Sequence, residues 1–193
     1  MPGLALAVVG ATGAVGQVFL ELLERRSLPL RSLRLFASSR SAGKRLRVLG
    51  EEMPVEEVRD GSFRGVDIAF ISVSSEVSQR LAPQALREGA LVIDDSSAFR
   101  LQPDVPLVVP EVNGTDLASH RGIIAIPNCT TTQLVMALAP LHRANPLRRV
   151  IVDTYQAVSG TGRAAMEELR QQAKASLDRS PVAPRVYPHP IAF

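Results

Sequence analysis

Residues 4–28 read LALAVVGATGAVGQVFLELLERRSL. Leu4 to Val9 form an unbroken apolar run, the pattern of a strand buried on both faces. Gly10, Gly13 and Gly16 follow at three-residue spacing and predict a tight turn. Val15, Val18, Phe19, Leu22 and Leu23 then recur at helical spacing, so an amphipathic helix leaves the turn. Working outward, the alternation continues. SLRLFASS after Pro29 is a second strand, the charged stretch around Leu46 to Val58 reads as a hairpin, and VDIAFISVSS is the next strand. EVSQRLAPQALREG predicts a helix ending at Gly89, with Pro83 breaking or restarting it, and ALVIDDSS predicts another strand. Apolar strands separated by helical crossovers up to about residue 126 specify a mostly parallel sheet, a doubly wound, Rossmann-like α/β domain.

Beyond it, GIIAIPN is a short strand, CTTTQLVMALAPLHRA a helix, RRVIVDTYQAVSG a long strand and TGRAAMEELRQQAKASLDRS a charged helix. PVAPRVYPHPIAF carries too many prolines for regular structure. These last elements offer too little sheet to bury themselves and read as the start of an α+β catalytic/dimerisation domain. The expected division is therefore 1–126 and 127–193, with the second part incomplete.

Composition narrows the function. The chain has 193 residues, is 46% hydrophobic and 21% charged, and carries a net charge of +3, as expected of a globular protein with a sizeable core. The positive charges are dispersed and Trp is absent, which argues against nucleic acid and in favour of small anionic ligands. A single cysteine excludes an internal disulfide, and no apolar run has membrane-spanning length. Both point to a cytoplasmic setting without a membrane partner.

The glycine turn is the first candidate site. Between a strand and a helix N-terminus, glycines let the backbone approach a pyrophosphate while amides and the positive helix end face the anion. Gly10, Thr12, Gly13, Ala14, Val15 and Gly16 are the residues expected to hold a dinucleotide. The end of the second strand decides which one. A carboxylate there holds the ribose hydroxyls of NAD, yet LFASSRSAGKRLR has no acid between Leu35 and Arg47. Ser38, Arg40 and Ser41 offer hydroxyls and a forked cation suited to a 2′-phosphate, which favours NADP.

Cys129 is the second candidate. A lone cysteine is more often a small buried hydrophobe than a nucleophile. This one falls on the first turn of a helix with Asn128 as its N-cap, and a helix N-terminus favours the thiolate. Beside a nicotinamide, a thiolate can add to an aldehyde; hydride loss then leaves a thioester for phosphate or water to cleave.

GATGAVG, SSRSAGK, SSAFR, VPEVN, IPNCTTTQLVMAL and TYQAVSGTGRAAMEEL stand in the order and spacing of the aspartate-β-semialdehyde dehydrogenase family, which the chain resembles from residue 4 to its end. The resemblance implies NADP-dependent, reversible conversion of L-aspartate-4-semialdehyde and phosphate to L-aspartyl-4-phosphate, a step toward lysine, threonine and methionine. It implies that Cys129 is the nucleophile, Gln156 orients the substrate, and Arg100 and Asn128 hold phosphate or the reacting group. Ser159 and Gly160 then lie near the nicotinamide. By themselves, Arg100 is an arginine after a strand end and VSGTG a turn into a helix.

Two positions depart from the family pattern: Asp94-Asp95 stands where Asp-Asn is common, and Ser74 where Gly is frequent. The family's acid-base histidine and substrate-carboxylate arginine lie beyond residue 193, and His120, His142 and His189 match neither. No metal is implied, and a homodimer is implied for the full-length protein. The alternatives are a non-catalytic NADP-binding paralogue or regulatory module, and a phosphate- or nucleotide-binding structural domain. An intact Cys129 with Arg100 and Gln156 favours the enzyme.

Overall fold

A computed structural model describes residues 3–193. The apolar run at the start becomes β1 (Leu4–Val9), and the chain continues through α1 (Ala14–Arg26), β2 (Leu30–Ala37), β3 (Arg45–Val48) and β4 (Glu51–Glu57). β5 (Ile68–Ile71), α2 (Ser75–Arg87) and β6 (Leu91–Asp94) follow. Then come α3 (Pro110–Asn113), β7 (Ile123–Ala125), α4 (Cys129–Ala144) and α5 (Arg163–Leu177). The seven strands form one sheet in the order β3-β4-β2-β1-β5-β6-β7. Every pairing is parallel except the β3–β4 hairpin.

β1 lies mid-sheet because both its faces are apolar. Leu6 and Val8 point to one side, where Leu35, Phe70 and the α1 residues Leu20 and Leu23 close a buried cluster. Phe19 of α1 stacks on Phe70 with centroids 4.1 Å apart. Ala7 and Val9 point to the other side, where Ile71, Val92 and the α2 residues Leu81, Ala82 and Ala85 form the second cluster. The two-residue alternation of strand side chains thus distributes one sequence run over two cores. From β1 the chain first builds outward to β2 and later, on the opposite side, to β5, which makes the β1/β5 boundary the topological switch point.

Two expectations change. Pro83 does not break α2, which runs through it. The carbonyl that loses its donor is that of Gln79, four residues earlier and itself an exposed residue, so solvent is available to that side of the helix. The strand expected at 148–156 does not form: residues 146–157 lack regular structure. A strand needs a neighbour for its backbone donors and acceptors, and none of the described residues supplies one there.

The chain divides into two compact units, Met1–Val150 and Ile151–Phe193. α4 belongs to the first. Its C-terminal Arg143 donates to the carbonyls of Glu111 and Val112 in α3 at 3.3 and 2.9 Å, although α4 itself contributes no buried side chain. In the second unit, α5 organises the proline-rich tail, which is irregular as its prolines require. Glu168 accepts from the amides of Arg185 and Val186, and Gln172 from those of Ile191 and Ala192. Four tail donors are thereby satisfied without secondary structure.

Candidate active site

The register of the sheet assembles the site. Val9 pairs with Phe36 and Ile71, Ile71 with Asp94, and Asp94 with Ala125, so the carboxyl ends of five strands finish level. The loops that follow carry Gly10, Ser38, Ser72, Asp95 and Asn128, and they leave one edge of the sheet together. This is where open α/β sheets bind ligands.

At Gly10 the backbone turns with φ +92°, and an added Cβ would overlap the Ser72 carbonyl oxygen. Gly16 lets α1 approach the strand end, since its Cβ would overlap the Gly10 carbonyl. The amides of Gly10 and Ala11 both donate to Phe36 O at 2.8 and 3.0 Å, which ties the turn to β2. Gly13 is the N-cap of α1 and supplies no capping side chain. Among the described residues, the amides of Thr12, Ala14, Val15 and Gly16 have no acceptor. Four unpaired donors at the positive end of a helix suit a pyrophosphate.

β2 ends one residue past the level row, and the next turn is closed by Ser41 N and Ala42 N donating to Ser38 O at 2.8 and 3.0 Å. Ser38 and Arg40 are exposed and Ser41 is half-buried. Arg40 joins no ion pair among the described residues. The loop thus carries the Arg40 cation, the hydroxyls of Ser38 and Ser41, and no acid.

Next along the edge, Asp94 is fully buried and accepts hydrogen bonds from the hydroxyls of Ser78 and Ser96. The Ser96 hydroxyl also accepts from Ala98 N at 3.0 Å, shaping the loop toward Arg100. Arg100 is half-buried and donates through Nε to Ile126 O at 2.9 Å and through Nη2 to Asp95 O at 3.0 Å. Its Nη1 donates to none of the described residues. Asp95 accepts from the Ser72 hydroxyl at 2.9 Å. Burial pushes its carboxyl above the usual aspartate range and the Asp94 charge adds to this, against the pull of the Ser72 hydrogen bond and the Arg100 charge. Sequence reasoning missed these serines: Ser72 and Ser96 are signalled only by their place in SVSS and DDSS at strand ends, and Ser78, inside α2, by nothing in the sequence.

Asn128 caps α4 as anticipated. Its Oδ1 accepts from Thr130 N at 3.1 Å, Thr131 N at 3.4 Å and the Thr130 hydroxyl at 2.6 Å. Its amide Nδ2 has no acceptor among the described residues. Cys129 is the first residue of the helix, and it is exposed. Cys129 is therefore not a buried hydrophobe, and Arg100 is tied to Ile126, three residues before the thiol.

Gln156, Ser159 and Gly160 lie in the second unit. Gln156 and Ser159 are exposed, and the Gln156 amide sits so close over Gly160 that a Cβ there would displace it. Ser159 N–H is not bonded in the short 3-10 turn Val158–Thr161, whose closing bond runs from Gly162 N to Ser159 O at 3.0 Å. Of the histidines, His120 and His142 accept from nearby amides through Nδ1 at 3.1 Å each, which is turn stabilisation, and His189 is exposed. Among the described residues no His, Cys, Asp and Glu cluster is arranged to hold a metal, and no helix is long and apolar enough to cross a membrane.

Residues 5–120 match the family described as semialdehyde dehydrogenase, NAD binding domain, and residues 138–193 match semialdehyde dehydrogenase, dimerisation domain. The chain is 52% identical over 186 residues to an aspartate-semialdehyde dehydrogenase of Bacillus subtilis, covering 96% of this chain and 54% of the relative. Aspartate semialdehyde dehydrogenase II from Vibrio cholerae, solved in complex with ASA, superposes with a TM-score of 0.95 at 42% identity, over 100% of this chain and 58% of that one. The Candida albicans enzyme, solved with NADP, has a TM-score of 0.60 at 28% identity, over 82% of this chain and 52% of the other. The chain spans about half the length of the curated relatives it matches.

Proposed function

This chain belongs to the semialdehyde dehydrogenase family, and on that premise we propose that it carries the NADP site and the nucleophile of an aspartate-semialdehyde dehydrogenase. The reaction is reversible oxidation of L-aspartate-4-semialdehyde with phosphate to L-aspartyl-4-phosphate. The observation that carries this reading is the level sheet edge, from which the glycine turn, Arg100 and an exposed Cys129 at a helix N-terminus all emerge.

The residues fit an NADP molecule. Thr12, Gly13, Ala14, Val15 and Gly16 would face its pyrophosphate and Ser38, Arg40 and Ser41 its 2′-phosphate; that Ser159 and Gly160 serve the nicotinamide end is what the family resemblance implies. When bound, it supplies a hydride acceptor. Cys129 adds through Sγ to the aldehyde carbon, forming a carbon–sulfur bond and an alkoxide that takes a proton to become a hemithioacetal hydroxyl. The Asn128 amide and the helix end favour negative charge at that oxygen. Once the hydride has left the same carbon and the hydroxyl proton has gone to a base, which the family resemblance puts beyond residue 193, Cys129 holds an acyl thioester. A phosphate oxygen, oriented by Arg100, attacks the acyl carbon and expels the thiolate, giving the acyl phosphate. Gln156 orients the substrate.

The same reading assigns cofactor binding to residues 1–126 and the nucleophile helix onward, 127–193, to the catalytic and dimerisation part. It places the protein in the cytoplasm as a homodimer serving lysine, threonine and methionine synthesis. The test is phosphate-dependent reduction of NADP by aspartate semialdehyde with the purified full-length protein. Turnover should vanish in Cys129→Ser, and a substantial rate in that variant would overturn the assignment of the nucleophile.

A further inference from the structure

We propose that Asp95 determines how the sheet edge at Arg100 selects and holds its inorganic anion, binding a proton whenever an anion occupies Arg100. The inference rests on the reading of Arg100 as the anion's partner. It starts from how Arg100 is held. Two of its five N–H donors are committed to the carbonyls of Asp95 and Ile126, which ties it to the ends of β6 and β7 and leaves both hydrogens of Nη1 and one of Nη2. An anion held by those free donors shares its cation with the residue whose carbonyl Arg100 also holds.

That charge is negative in the ionised state and is attracted to the same guanidinium. A second anion must therefore compete with it for one cation, and two like charges at a shared site favour protonation of one of them. The carboxyl can respond because its surroundings are balanced. Asp95 N is fixed to Ile71 O at 2.9 Å, and the Ser72 hydroxyl donates to Oδ2 at 2.9 Å. Ser72 is itself held by its amide on Val9 O at 3.0 Å. Arg100 from the following loop and Asp94 from β6 are the charged groups that act on Asp95, one pulling its carboxyl down and the other pushing it up. Burial raises it further. Neutral, the carboxyl becomes a donor to an anion oxygen; ionised, it repels that oxygen. The neighbouring Asp94 does not share this role, because it is fully buried and saturated by Ser78 and Ser96.

The sign follows directly. Anion affinity should fall as pH rises through the Asp95 titration, since the proton must then be taken from solvent. Sulfate is the suitable probe because it remains a dianion across the range, unlike phosphate. Titration calorimetry of the full-length protein in two buffers of different ionisation heat should show proton uptake on binding sulfate. Asp95→Asn should bind sulfate about tenfold tighter near pH 8, show no proton uptake, and lose the pH dependence. Ser72→Ala removes the donor that favours the ionised carboxyl, so it should move the pH midpoint upward, a shift that loss of packing alone would not produce. Equal affinities in wild type and Asp95→Asn with no proton uptake would overturn the inference, as would failure of either protein to bind sulfate. Absence of semialdehyde turnover in a protein that shows the Asp95-dependent uptake would instead refute the proposed reaction and leave the anion site intact.

Discussion

Asn128 does two separable things, and substituting it by Asp or Ala tells them apart. Its Oδ1 caps α4, while Nδ2 is uncommitted among the described residues and sits one residue before the thiol. Asn128→Ala removes the cap. One of the two amide bonds is well formed at 3.1 Å and the other is long at 3.4 Å, so the loss should be about 1 kcal/mol, mid-range for an N-cap. In a protein of this size that lowers Tm by roughly 2–4 °C. Asn128→Asp keeps an acceptor at the same place and adds a charge that the positive helix end welcomes, so stability should stay within about 0.5 kcal/mol of wild type. It also replaces the free amide donor with a carboxylate beside the reacting oxygen, and kcat should fall by about 100-fold or more, as when an oxyanion donor is removed. Thermal unfolding and initial-rate assays on the three proteins measure both effects. An Asn128→Asp enzyme as active as wild type would mean that Nδ2 takes no part in the reaction. Unchanged stability in Asn128→Ala would mean that the cap carries no weight.

The loop after β2 and the carboxylate that organises residues 59–63 yield two further expectations. Replacing the exposed Arg40 by Ala should weaken NADP binding by about 1–3 kcal/mol, the worth of a hydrogen bond to a charged group. NAD binding should barely change, and equal losses for both in fluorescence titrations would remove the 2′-phosphate assignment. Glu88 accepts from Gly61 N at 2.9 Å, Phe63 N at 2.7 Å and Gln84 Nε2 at 2.8 Å. Desolvation pushes its carboxyl up, yet the hydrogen bonds from Gln84, Phe63 and Gly61, with the Arg64 charge, outweigh it and hold it below the usual glutamate value of 4.5. The stability this contributes is present above the unfolded-state pKa and disappears as pH falls through the lower folded one. Wild type should therefore lose stability between about pH 5 and 3 more steeply than Glu88→Gln, as followed by urea denaturation, and parallel pH profiles would contradict the role of Glu88.

The sequence by itself determined the features that depend on near neighbours. An apolar run, a glycine turn and a helical repeat at residues 4–28 specify strand, turn and helix through backbone sterics and burial, and the same logic located the hairpin and the Asn128 cap. Pro83 misled because the outcome depends on whether Gln79 faces water, which the helix orientation decides. The strand expected at 148–156 misled because pairing needs a partner strand, and none of the described residues supplies one there. Only the tertiary structure decided what the glycines do: Gly10 and Gly16 are required by the carbonyls of Ser72 and of Gly10 itself, one of them 62 residues away. Likewise, nothing in the run DDSSAFR states that Asp94 is sealed by two hydroxyls while Asp95 meets Ser72. Side-chain alternation sends the two acids to opposite surroundings, and strand register, set by hydrogen bonds across the sheet, brings Ser72, Arg100 and Ile126 to the same edge.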